Sequence, residues 1–384
     1  MRHWVLPEYV EDVLPEEASR VEALRRRLLD VFAGHGYELV MPPLIEHLES
    51  LLTGTGHDLD LRTFKLVDQL SGRLLGLRAD ITPQVARIDA HLLNRPGVTR
   101  LAYCGTVLHA LPAGMSQSRE VLQLGAELYG HSGVESDIEI QRLMLEALAD
   151  AGVVGMHLDL GHVGLFRAIC RHGQVEPDLE GELFHALQGK DVPSLRQLAR
   201  ALPAVTRNAI LALPELFGGT EVLEVARRML PDYPEVAACL TQIDAICRQL
   251  SAHVDALMID LAELRGYHYH SGVVFAAYAS GMPNALAQGG RYDEVGKAFG
   301  RARAATGFSL DLRALAAVTA AGKRREVIAA PWGDDGALWS AIRALRAQGE
   351  VVVMRLPGER ADELQSAGRE LVHRDGRWVV EPHR

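Results

Sequence analysis

The chain carries little lysine and little cysteine. Of its 40 basic residues, only Lys65, Lys190, Lys297 and Lys323 are lysines, a bias of the coding sequence rather than a chemical signal. Its 4 cysteines, Cys104, Cys170, Cys239 and Cys247, form no C-x-x-C, which excludes a zinc ribbon or a redox dithiol. They read as buried free thiols of a reducing, cytoplasmic compartment. No run approaches about 18 apolar residues, so no membrane-spanning helix is expected. The opening M-R-H-W-V-L-P-E-Y-V-E-D has acidic residues where a signal peptide needs an apolar core. An excess of positive charge is missing too. With 40 basic against 50 acidic residues the net charge is −10, so no global basic field attracts nucleic acid. The loop Leu108–Ser118 has no arginine or lysine to grip phosphates. His268 and His270 form an H-x-H pair without an evident third ligand, and Gly289–Gly290 lacks a Walker lysine and serine. No metal and no cofactor is expected. There is no internal repeat and no low-complexity tract.

What is present is ordinary for a soluble globular chain of about two to three domains: 384 residues, 48% hydrophobic, 23% charged. Val21, Leu24, Leu28 and Phe32 share one face of a helix predicted over Glu16–Phe32, with Gly34 as its stop. Tyr37–Met41 reads as a strand ended by Pro42 and Pro43. Thr63–Asp68 and Arg73–Arg78 read as a hairpin. Thr82 is the expected N-cap of a helix with Pro83 at its first position. Thr99–Ala110 and Arg119–Tyr129 read as long antiparallel strands, and Ser136 as the cap of a helix to about Asp150. Residues 163–252 read as a helical insertion without strand signals. Strand patterns return at Asp255–Leu261 and Gly272–Tyr278, and Gln288–Gly290 reads as a tight turn. From about Gly322 the pattern changes: strand Glu326–Ala330, helix Asp335–Ala347, strand Glu350–Arg355, helix Arg360–Ala367, and a hairpin turn at Asp375–Gly376. That is a small α/β appendage.

The most informative stretch is R-E-V-L-Q-L-G-A-E-L-Y-G at Arg119–Gly130. A strand alternates its faces, so Leu122, Leu124, Ala126 and Leu128 form an apolar face. Gln123, Gly125 and Glu127 share the other, with open space expected at Gly125: a floor for a small polar ligand. The bland alternative is a half-exposed strand with solvated polar residues. Asp80 has a bland alternative as well, an ion pair with Arg78 or Arg87.

Five motifs in order carry a resemblance to histidyl-tRNA synthetase across nearly the first 320 residues. They are G-Y-E-L-V-M-P-P-L-I-E at Gly36–Glu46, L-R-A-D-I-T-P at Leu77–Pro83, Q-L-G-A-E-L-Y-G at Gln123–Gly130, L-R-G-Y-H-Y-H at Leu264–His270 and G-G-R-Y-D at Gly289–Asp293. The departures matter. Where the synthetase has an arginine on the ATP α-phosphate, this chain has His109; where its third motif has another, this chain has Ala314, with Arg313 adjacent. Losing one such fixed cation typically costs on the order of 10²–10³ in rate.

A synthetase-like chain with these departures resembles the regulatory subunits of short-form ATP phosphoribosyltransferase. That resemblance implies an α+β, class II synthetase-like antiparallel sheet flanked by helices over residues 1–322, including the helical insertion, and the α/β appendage over residues 323–384. It implies a non-catalytic chain that binds free histidine, partners a short catalytic subunit, activates it and passes on feedback inhibition. Class II relatives dimerise through the first motif, which puts Gly36–Glu46 near a homodimer interface. Histidine offers an amine, a carboxylate and two ring nitrogens. Asp80 with Gln123 and Thr82 suits the amine, Arg265 the carboxylate, and Glu127 an imidazole N–H. Tyr267, Tyr269 and His270 are the candidates for contact with the ring. The rivals are an active histidyl-tRNA synthetase and a non-catalytic tRNA-binding relative.

Overall fold

The computed structural model describes residues 5–53, 57–112, 118–267, 269–319, 326–359 and 367–382. The chain divides into two compact units, Met1–Ala320 and Ala321–Arg384.

The first unit is built on a 9-stranded sheet. The edge strand Glu38–Val40 runs parallel to Thr99–Leu108. An antiparallel run then follows: Thr99–Leu108, Glu120–Tyr129, Ala305–Asp311, Ala287–Arg291, Val273–Ala279 and Met156–His162. Ala256–Asp260 joins parallel to Met156–His162, and Phe217–Gly218 closes the far edge. The helical stretch after Val163 is therefore not strand-free as the sequence suggested. Two residues are too short for a period-two signal to register. Its helices also share one apolar core with the sheet: Phe166, Leu183, Ile210 and Ile243 pack in the same cluster as Leu124, Leu128 and Phe308.

The helix Pro15–Gly34 starts with Pro15 in its first turn and Glu16 and Glu17 behind it, and it buries Val21, Leu24, Leu28 and Phe32. Proline lacks only a donor that no carbonyl would accept there, and acidic side chains suit the positive helix end. Phe32 meets Phe308 edge-on at 5.7 Å, which ties this helix to the middle of the sheet. A smaller sheet is formed by Ile45–His47, Phe64–Val67 and Leu74–Leu77, the last two being the expected hairpin.

Three local expectations are corrected. Gln288–Gly290 is no turn: it lies in strand Ala287–Arg291, paired on both sides. A side chain at Gly289 would collide with the Gly307 carbonyl and come within 2.8 Å of Phe275. These glycines serve close backbone approach rather than positive φ. Thr82 is not the N-cap. It lies inside helix Thr82–Arg87, capped at Ile81, and its hydroxyl goes to Tyr103 instead. Ser136 likewise lies within helix Val134–Asp150, capped at Gly133; its hydroxyl donates to the local carbonyls of His131 and Gly133.

The second unit has a 4-stranded sheet in the order Val351–Met354, Val327–Ala330, Ala367–Arg374, Arg377–Pro382. Asp335 caps helix Gly336–Ala347 by accepting from the N–H groups of Ala337 and Leu338. Ile328, Ala330, Leu338, Ile342, Val352 and Leu371 form its core. The Asp375–Gly376 turn has φ of 50° and 77°, the geometry of a tight hairpin. Of the helix expected at Arg360–Ala367, residues 360–366 lie outside the described residues and Ala367 begins a strand.

Candidate functional site

The apolar face of Glu120–Tyr129 behaves as its alternation requires, with Leu124, Ala126 and Leu128 in the core. From its polar face Glu127 lines a cavity of about 940 Å³, ample for a small polar ligand. Asp80, Thr82, Glu127, Arg265, Tyr267, Tyr269 and His270 line it. Gln123 stands just behind Asp80.

Gln123 fixes one end. Its amide oxygen accepts from the Ile81 N–H at 3.0 Å, and its amide nitrogen donates to Asp80 Oδ1 at 2.8 Å. The Thr82 N–H donates to the same oxygen at 3.1 Å. Asp80 Oδ2 takes no hydrogen bond among the described residues. The alternative partners are engaged elsewhere: Arg78 with the carbonyls of Thr106 and Pro42, Arg87 with Glu46.

Glu127 is 1% exposed. The Tyr103 hydroxyl donates to its Oε1 at 3.0 Å, and the Tyr292 hydroxyl to its Oε2. Desolvation pushes its carboxyl up to about 8, against the opposing hydrogen bonds of Tyr292, Tyr103 and Thr82. Gly125 does not leave open space. Tyr103 lies directly across from it in the ladder and fills the room a side chain would take.

The Gly266–His270 turn closes the cavity. Gly266 has φ of 62°, and a side chain there would press on the His270 ring, so glycine is required. Arg167 clamps the turn by donating to the carbonyls of His270, at 2.8 Å, and Tyr267. Tyr267 sends its hydroxyl to Glu180 and stacks on Phe184 at 4.9 Å. His270 Nδ1 lies 3.1 Å from the Arg265 carbonyl. A carbonyl only accepts, so Nδ1 carries the proton and Nε2 keeps its lone pair. Burial lowers the His270 pKa to about 4. Tyr269 packs on Tyr292 at 5.1 Å, and its buried hydroxyl has no partner among the described residues. His268 lies outside the described residues, and no group of metal-ligating side chains occurs among them.

Arg265 donates to Gln288, to Tyr278 and to Glu263 at 3.3, 3.3 and 3.4 Å. His109 is buried with its Nε2 3.1 Å from the Ala79 carbonyl, and its neighbour is Arg62, whose Nη2 lies 2.8 Å from Nε2 and 3.2 Å from Nδ1. Ala314 is exposed, and Arg313 is drawn to Glu11 and the Glu120 carbonyl. Sequence reasoning missed Tyr103, Tyr292 and Arg62. Tyr292 stood inside the G-G-R-Y-D motif; Tyr103 had only its alternation on a long strand as a signal.

The fold and site define a class II synthetase-like chain of the histidyl type. The histidyl-tRNA synthetase family model matches residues 9–315, and that of the ATP phosphoribosyltransferase subunit HisZ C-terminal domain matches residues 325–381. The chain is 58% identical to an ATP phosphoribosyltransferase regulatory subunit of Ralstonia nicotianae, covering 100% of this chain and 99% of that one. It is 58% identical to the corresponding subunit of Cupriavidus taiwanensis, over 99% of each. The structure resembles that of an ATP phosphoribosyltransferase regulatory subunit/histidyl-tRNA synthetase from Bacillus halodurans, with a TM-score of 0.83 and 28% identity over 96% of this chain and 98% of that one. Histidyl-tRNA synthetase from Nostoc sp. PCC 7120 shares the fold at a TM-score of 0.77 and 15% identity, over 97% and 92% of the chains. The chain belongs to the ATP phosphoribosyltransferase regulatory subunit family. Its place is thus in histidine biosynthesis, as a regulatory rather than a catalytic chain.

Proposed function

We propose that the chain binds free histidine in this cavity and couples its occupancy to a separate, short-form ATP phosphoribosyltransferase catalytic subunit in the cytoplasm. The observation that carries the reading is the pair of opposed anchors in one cavity. Asp80, held by Gln123 and Thr82, offers an oxygen to an amine; Glu127, held by Tyr103 and Tyr292, faces the same space. Neutral His270 offers a lone pair, and the unpartnered Tyr269 hydroxyl offers a donor. A site that satisfies both ring nitrogens rejects apolar analogues, because they leave buried groups unpaired. The coupling is an interaction free energy of about 1–3 kcal/mol and acts in both directions.

The regulatory unit acts as a homodimer joined near Gly36–Glu46, within a hetero-oligomer. Neither tRNA nor a membrane is part of the reading; no helix among the described residues is long and apolar enough to cross one. The decisive experiment is co-purification with the catalytic subunit, followed by phosphoribosyltransfer assays with and without histidine. Activation by this chain and inhibition by histidine are expected. Calorimetry should show histidine binding to the wild-type chain and a loss of roughly 1–3 kcal/mol in Glu127→Ala. Histidine-dependent ATP–pyrophosphate exchange would overturn the reading.

A further inference from the structure

The α-amine and α-carboxylate of an amino acid hang from one carbon, so their anchors must be neighbours. The amine anchor is Asp80. Two arginines line the cavity, Arg62 and Arg265. The Ala79 carbonyl, one residue before Asp80, holds His109 Nε2 at 3.1 Å, and Arg62 packs against that same ring. A guanidinium only donates, so the contact of Arg62 Nη2 with the ring, 2.8 Å from Nε2 and 3.2 Å from Nδ1, requires a ring nitrogen that keeps its lone pair. His109 is thereby a neutral support, and burial together with Arg62 lowers its pKa further. Arg62 shares the cavity lining with Leu59, Asp80 and Thr82.

Two features distinguish Arg62 from Arg265. Among the described residues its buried Nε has no hydrogen-bond partner, a costly condition for a guanidinium N–H unless an acceptor arrives. Among the described residues no carboxylate pairs with it. Arg265 is already engaged: it pairs with Glu263, also bonds Tyr278 and Gln288, and acts electrostatically on Asp159. A ligand carboxylate placed there would approach two protein carboxylates.

We infer that Arg62, braced by His109, is the anchor of the ligand carboxylate, and that Arg265 is a positioning residue of the Glu263–Gln288 wall. The inference rests on the histidine reading above. It makes the pocket selective for an intact amino acid over its decarboxylated counterpart, since histamine keeps the amine and the imidazole but offers Arg62 nothing.

Titration calorimetry of the full chain with histidine and with histamine tests this. The wild-type chain should bind histidine at least tenfold more tightly than histamine. Arg62→Gln should lose at least tenfold in histidine affinity and leave histamine affinity unchanged, erasing the preference, while Arg62→Lys restores part of it. Arg265→Gln should keep the preference. Unchanged histamine binding also certifies that the Arg62→Gln pocket is folded; loss of both ligands from that variant, with the preference also lost in Arg265→Gln, counts against the assignment. Full histidine affinity in Arg62→Gln overturns it outright while leaving the histidine reading intact. A wild-type chain that binds neither ligand overturns that reading and this inference with it.

Discussion

Arg291 grips Asp137 through two nitrogens, Nε at 3.1 Å and Nη2 at 2.9 Å, with both side chains buried. The same guanidinium donates to the Ser136 hydroxyl and to the carbonyls of His131 and Gly133. The G-G-R-Y-D motif is thus a latch between a central strand and the start of helix Val134–Asp150. It also sets the backbone from which Tyr292 reaches Glu127.

Removing one member of a buried pair leaves the other charge uncompensated, at a cost of about 3–5 kcal/mol. Arg291→Met should therefore lower unfolding stability by that amount, with a matching fall in the urea midpoint. A loss below about 1 kcal/mol would show that the latch carries little.

Glu127 gives a pH dependence of defined sign. Its carboxyl titrates near 4.5 when exposed and at about 8 in the fold. Between those values the folded chain holds a proton that the unfolded chain has released, so this contribution is complete below the lower value and declines as pH rises through the upper one. His162 and His270, both lowered by burial to about 4, act oppositely and weaken the fold as pH falls from 6.5 to 4. Comparing wild type with Glu127→Gln isolates the carboxyl. Relative to wild type, the variant should gain on the order of several kcal/mol from about pH 5 to about pH 8 and then level off. Parallel unfolding curves across that window would contradict the burial argument.

Gly125→Ala should act through Tyr103. The new methyl would meet the Tyr103 ring and lie 2.6 Å from the Phe308 carbonyl. Overpacking of this kind costs about 1–3 kcal/mol, and a displaced Tyr103 releases its hydrogen bond to Glu127. Both a lower melting temperature and weaker histidine binding are expected. Wild-type values for both would mean that the tyrosine moves freely.

Residues whose neighbours are close in sequence were the legible ones. The Val21–Phe32 face, the Leu122–Leu128 face and the Asp375–Gly376 turn follow from periodicity and turn chemistry alone. Tyr103 and Tyr292 were not legible, because their roles depend on strand pairings between Gly125 and Tyr103 and between Gly307 and Glu127. A glycine pair such as Gly289–Gly290 reads as a turn until the strands crowding it are known. Arg62 sits at the end of the short helix His57–Arg62, and only the fold brings it to His109, 47 positions further along the chain.

The first motif leaves apolar side chains in water. Leu39, Met41, Leu44 and Ile45 are 45%, 77%, 40% and 43% exposed, and strand Glu38–Val40 is an edge of the large sheet. Exposed edges with apolar side chains invite association unless they are covered. A second copy of the chain as the cover matches the proposed homodimer. A charge in the middle of such an interface must be desolvated without a partner, a penalty of several kcal/mol. Met41→Glu should therefore shift the chain from dimer to monomer in sedimentation equilibrium at micromolar concentration, with histidine binding retained because the cavity is untouched. A wild-type chain that sediments as a monomer, or a Met41→Glu variant that stays dimeric, would place the interface elsewhere.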